Sequence, residues 1–212
     1  MIITEPMTLL TDYLIAIQAI GFAVLLGQKG RSLRQRSMWL WAATFGFVGL
    51  AAFLGGTCHG FVTYLGNERV RVMWQIMVYC LGIASYLMLA ATVTSVLPRR
   101  IQVWVLLGFG VKSVLYLSWA AYWMDNYAYS IANYLSAMAI VLLLQGWAIH
   151  QGHHVRAARW IVGGIIVSGL AVAVQSTGMA IGQHFNHNDI YHVIQMVGLY
   201  LFYRGANQLK DR

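Results

Sequence analysis

Long apolar runs broken by short polar pieces organise the whole chain. Runs bounded by charge fall near 7–27, 38–63, 72–97, 101–123, 128–149, 160–182 and 190–206. Each is close to the ~20 residues a helix needs to cross ~30 Å of hydrocarbon. The pattern predicts an all-α integral membrane bundle of seven transmembrane helices, and residues 1–212 form one domain with no soluble portion. Proline agrees: Pro6 stands where a first helical turn accepts it, and Pro98 falls in the connection after the third run.

Composition strengthens this reading, since 59% of residues are hydrophobic and only 9% are charged, too few to cover a soluble surface of this size. Charge placement then gives it a direction. Lys29, Arg31, Arg34 and Arg36, then Arg99 and Arg100, then Arg156 and Arg159, then Arg204, Lys210 and Arg212 occupy alternate connections and the tail. The opposite side carries only Arg69 and Arg71, while Glu5, Asp12, Glu68, Asp125 and Asp189 lie on or near it. Because retained loops are enriched in Lys and Arg, the N-terminus is expected outside and the C-terminus in the cytoplasm, as in a bacterial inner membrane. The first run lacks a basic leader and a cleavage pattern, so it is expected to be retained as a span.

The net charge of +8 is accounted for by basic residues beside spans, facing anionic lipid headgroups, and calls for no nucleic-acid partner. Trp39, Trp41, Trp74, Trp119, Trp123, Trp147 and Trp160 lie toward span ends, where their rings are expected to anchor the interface. Cys58 and Cys80 sit in apolar runs as small hydrophobes. Gly163, Gly164 and Gly169 are expected to allow close helix packing. His150, His153 and His154 read as a solvated loop, with metal binding as the alternative.

Polar residues within the spans gather at the outer ends. Glu5, Thr8 and Asp12 share one helical face. His59 follows Gly55-Gly56-Thr57-Cys58; Trp74 and Gln75 open the third span; Gln175, Ser176, Thr177 and Gln183 end the sixth. The seventh opens with His184-Phe185-Asn186-His187-Asn188-Asp189-Ile190-Tyr191-His192, in which Asn188 and Asp189 each share a face with His192, while His187 points about 140° away from it. Ionisable groups inside a membrane are expensive unless paired, so these are candidates for function. Plainer roles stand beside that one: Asp189 or Asn188 capping the seventh helix, Asp12 bonding nearby amides, His184 and His187 in a solvated loop. Lys112, deep in the fourth span, is expected to face the bundle and pair with a hydroxyl, carbonyl or acid.

The segment Asn188-Asp189-Ile190-Tyr191-His192-Val193-Ile194-Gln195-Met196-Val197-Gly198-Leu199-Tyr200-Leu201, together with His59 ending the second span and Glu5 and Tyr13 near the start, resembles the alkaline ceramidase and CREST superfamily of seven-span membrane hydrolases. The resemblance implies zinc held by three histidines, water activated by the metal, and cleavage of a lipid amide or ester. On this chain His59 and His192 match two ligands, Asn188 occupies the third histidine's place, and Asp12, His187 or Asp189 would have to complete the set. Asp12 would serve as base. Gly55 stands where the superfamily has serine, and no aspartate opens the third span. These departures support an alternative, a non-catalytic lipid-binding protein or a subunit of a larger membrane complex. Haem bound through two histidines on different helices is a third reading.

Overall fold

The computed structural model describes residues 3–122, 128–182 and 185–212. Those residues form six helices: α1 Pro6–Leu33, α2 Arg36–Val96, α3 Arg99–Tyr122, α4 Ala128–His150, α5 Val155–Ser176 and α6 His187–Ala206. Apart from one isolated bridge between Gly182 and Phe185, the described residues hold no β-structure. Trp123, Asp125, Gln183 and His184 lie outside the described residues.

Five of the helices, α1 to α5, are long and apolar enough to cross a membrane. Of these, α2 departs most from the expected pattern. Straight, its 61 residues would reach about 90 Å, three times the hydrocarbon thickness. It does not run straight: Phe61 (φ −126°, ψ 19°) and Gly66 (φ 73°, ψ 158°) leave helical geometry, and the positive φ at position 66 is one that glycine alone adopts cheaply. The two arms fold together, with Ala51 on the first packed against Met77 and Cys80 on the second. The expected loop at 64–71 is therefore a bend at 61–66, and Glu68, Arg69 and Arg71 lie on helix beyond it. Elsewhere α1 continues to Leu33, α5 stops at Ser176, short of 182, and α6 starts at His187 rather than 190.

The packing order is α1 along α2, α5 along α6, and α1 against α6, with α4 joining α2 to α5. The core runs through Ile15, Leu26, Trp41, Phe45, Met88, Val141, Ile161 and Phe202. Trp41, expected at the interface, is instead 1% exposed and stacked on Phe202, with ring centroids 5.6 Å apart. Large apolar side chains point outward: Ile17, Trp104 and Leu143 are more than 70% exposed. That inverts the plan of a soluble bundle and suits a lipid surround.

Small residues set the close approaches. A Cβ on Gly164 would lie 2.7 Å from the Phe202 ring, and one on Gly205 would lie 2.5 Å from Ile161. Gly163 is looser, and Gly169, expected to share this role, meets nothing within 4 Å.

The chain ends occupy opposite ends of the first arm of α2. Near the bend, Thr4 donates its amide hydrogen to the Gly60 carbonyl at 3.1 Å. At the far end, Asp211 caps α2 by accepting from the backbone N–H groups of Arg36 and Ser37, at 2.6 and 2.9 Å. Lys29 donates to the backbone and side-chain oxygens of Asn207 beside it. Arg34, Arg36, Arg99 and Asp211 line one cavity there, and Arg212 lies over the Trp147 ring. The basic connections thus gather at the C-terminal end of the bundle.

Candidate functional site

The opposite end brings together residues from α1, α2, α5 and α6. Asp12 and His192, 6% and 8% exposed, meet across the contact between α1 and α6, with Asp12 Oδ1 3.2 Å from His192 Nε2. The other ring nitrogen, Nδ1, lies 2.9 Å from the Thr11 hydroxyl oxygen. That hydroxyl has a single hydrogen, directed at the Met7 and Thr8 carbonyls at 3.0 and 3.1 Å. Carbonyls only accept, so the Thr11 oxygen accepts from Nδ1–H. The Nδ1–H tautomer satisfies all of these contacts, and it leaves Nε2 facing the Asp12 carboxyl group. A carboxyl group and an imidazole that share one proton are neutral overall, which is how two such groups tolerate burial.

Glycines let α1 come close enough for this pairing. A Cβ on Gly56 would stand 2.8 Å from Asp12 Cβ, and one on Gly60 would stand 2.9 Å from the Leu9 side chain. Gly56 and Gly60 are four apart, the small-xxx-small spacing by which membrane helices make close contact. The sequence carried this signal in Gly55-Gly56 and Gly60, but only the fold assigns α1 as the partner.

A second pair lies on the same side. His59 Nδ1 is 3.1 Å from Glu5 Oε2, and the His59 ring meets Trp74 edge-on at 5.7 Å. With Nδ1 engaged by Glu5, Nε2 is the nitrogen that remains for a ligand. Between the two pairs lies a cavity of about 300 Å3, lined by Asp12, His59, Trp74, Gln175, Asn188, Tyr191, His192 and Gln195, and on its apolar side by Ile15, Val48, Leu81, Ile131, Leu135 and Val172. Gln175 donates to Asn188 Oδ1 at 3.0 Å, tying α5 to the start of α6.

Other expected site residues are used differently. Asp189 is fully buried and caps α6: its Oδ2 accepts from the Asn186 amide at 2.8 Å, while the Asn186 side chain accepts from the Asn188 amide. Gln75 donates to Tyr79 on its own helix. His187 opens α6 half-buried and does not line the cavity. Tyr13 stacks on Phe53 and bonds the Thr57 hydroxyl. Lys112 is half-buried and donates to Asn133 Oδ1 on α4 at 2.7 Å, away from the other residues. Gln195 and Tyr191 were not singled out from sequence. Gln195 lies three residues after His192, so helical spacing from that histidine was the signal that could have found it.

A metal or haem iron needs a free lone pair, and both nitrogens of His192 are engaged within the protein. Iron or zinc at Nε2 would have to displace Asp12. Among the described residues, no three His, Cys, Asp or Glu side chains come together as a metal-ligating group. As arranged, the donors do not fit the three-ligand zinc centre that the resemblance implies.

The chain belongs to the family described as "Family of unknown function (DUF6962)", whose model matches residues 7–211. No curated protein and no solved structure matches it significantly.

Proposed function

We propose that this member of the family is a seven-span protein of the bacterial inner membrane, N-terminus outside, which binds a membrane lipid by its polar head in the cavity at the outer ends of α1, α2, α5 and α6. The spans are α1, the two arms of α2, α3, α4, α5 and α6. The gathering of basic connections at the C-terminal end supports the orientation. One observation carries the binding reading: a cavity of about 300 Å3 has a polar pole of Asp12, His192, His59, Gln175 and Gln195 set against an apolar wall. Such a division matches an amphipathic ligand, whose head hydrogen-bonds while its chain meets aliphatic side chains. Lipid extracted from the purified protein and identified by mass spectrometry is the test, with Ala52→Phe projecting into the cavity from α2. Stoichiometric lipid in the native protein and its loss in the variant are expected. Equal lipid content in both would end the proposal.

A second reading is hydrolysis of a bound lipid amide or ester, favoured by the Asp12–His192 pair facing the same cavity as His59. With both ring nitrogens of His192 engaged, the Asp12 carboxylate it holds is the group that would take a proton from water. Metal content of the pure protein and lipid turnover with and without His192→Ala decide this reading; no metal and no change in turnover would remove it. Stable co-purification of other membrane subunits, insensitive to His59 and His192 substitution, would instead favour a role in a larger complex. An absorption spectrum without a Soret band disposes of haem.

A further inference from the structure

A second cavity, larger than the one around His192, lies at the other end of the bundle. It measures about 840 Å3 and is bordered by Arg34 at the end of α1, Arg36 at the start of α2 and Arg99 at the start of α3. None of these three guanidinium groups makes a hydrogen bond, ion pair or ring contact among the described residues. The carboxylate beside them, Asp211, accepts from two backbone amides of α2 and offsets one of the three charges. Three cations and one anion thus border the cavity, which leaves a net excess of two positive charges.

From the arginines the wall continues as an apolar face of α3. Val103, Leu107, Val111 and Leu115 recur every four residues and are 54%, 57%, 61% and 66% exposed. All four line the cavity. Along the helix axis they cover about 18 Å, slightly more than half of a ~30 Å hydrocarbon core, which is the depth of one leaflet. No part of the most apolar window of α3 is buried within the protein.

The geometry points to a binding site for one anionic phospholipid, its phosphate held by Arg34, Arg36 and Arg99 and one acyl chain lying along α3 from Val103 to Leu115. Guanidinium groups present paired donors that match phosphate oxygens, and the net excess of positive charge selects an anionic head over a zwitterionic one. The continuous apolar wall selects a lipid over a free phosphate, because only a lipid covers it. This site is independent of the cavity around His192, which lies at the other end of α1.

The purified full chain, in detergent with equal phosphatidylglycerol and phosphatidylcholine, is examined by native mass spectrometry. One retained phosphatidylglycerol per chain is expected, at least fivefold over phosphatidylcholine. Arg36→Gln/Arg99→Gln should reduce that preference to near unity, while Arg36→Lys/Arg99→Lys keeps part of it. Gly110→Phe tests the acyl wall: Gly110 borders the cavity, and a Cβ there meets nothing within 4 Å. This variant should lose phosphatidylglycerol but bind inorganic phosphate as the native protein does. Equal retention of both lipids by the native protein would overturn the site, without reference to whether any variant folds. So would full retention by Arg36→Gln/Arg99→Gln, or phosphatidylglycerol binding unchanged by Gly110→Phe. Ala52→Phe, in the outer cavity, should leave this preference unchanged.

Discussion

The Asp12–His192 pair gives a quantitative test of how α1 and α6 are joined. With Nδ1–H already donated to Thr11, a neutral His192 presents the Nε2 lone pair toward residue 12. In Asp12→Asn the side-chain amide can donate to that lone pair, so a neutral hydrogen bond replaces the shared proton and the loss is about 1 kcal/mol. His192→Ala instead removes the partner of a buried acid and leaves a cavity. In soluble proteins, breaking such a pair costs about 3–5 kcal/mol. Polar pairs in membranes are worth less, averaging about 0.6 and reaching about 1.7 kcal/mol, because the unfolded chain in the bilayer also finds partners. With both groups more than nine-tenths buried, the upper part of the membrane range applies. A double-mutant cycle over Asp12→Ala, His192→Ala and the double variant should therefore show a coupling of about 1–2 kcal/mol, read as unfolding free energy in mixed micelles. Additivity within about 0.5 kcal/mol would show that the two side chains do not interact and would refute the shared-proton account.

Three further outcomes follow from other contacts. Gly56→Ala should cost about 1–3 kcal/mol, because its Cβ would lie 2.8 Å from Asp12 Cβ, whereas Gly55→Ser, whose Cβ meets Met77 at 3.4 Å and Asp12 at 3.6 Å, should change stability by less than about 1 kcal/mol in the same unfolding assay. Asp211→Ala should lower stability by about 1 kcal/mol and speed hydrogen exchange at Arg36 and Ser37, whose amides lose their acceptor. His154, at the N-cap of α5 outside the spans, is held below its ordinary value of 6.5 first by burial and then by His153, Lys210 and Arg212. The unfolded chain therefore binds a proton there that the folded chain does not, so stability is intact above pH 6.5 and falls as pH drops through it. His154→Asn, which also suits the left-handed backbone at this position, should flatten that acid-side loss in thermal melts between pH 7 and 5.

The all-helical fold was legible because apolar length is a local property: runs of about 20 residues declare themselves without any tertiary information. Charge was equally legible, since each basic cluster is contiguous, and the structure brings Arg34, Arg36, Arg99 and the tail to one end. Less could be read at the bend of α2, where the sequence between 61 and 71 shows a polar interruption but not that helix continues through Glu68, Arg69 and Arg71. The role of Trp41 was hidden because a tryptophan near a span end is interfacial or buried according to which helix packs there.

At the candidate site, the polar residues picked out along the sequence could not be paired from it. Asp12 and His192 are 180 positions apart, and nothing local distinguishes an aspartate that meets a histidine from one that caps a helix; Asp189, three residues from His192, turned out to be the cap. Helical periodicity fixes which residues share a face of one helix, so Thr8 and Asp12 on α1, or Asn188 and His192 on α6, follow from the chain alone, whereas Glu5, expected on that face, precedes the helix. Which faces confront one another depends on the crossing of α1 over the glycines of α2 and its contact with α6. That crossing is set by packing distances of a fraction of an ångström, which exist only once the helices have assembled.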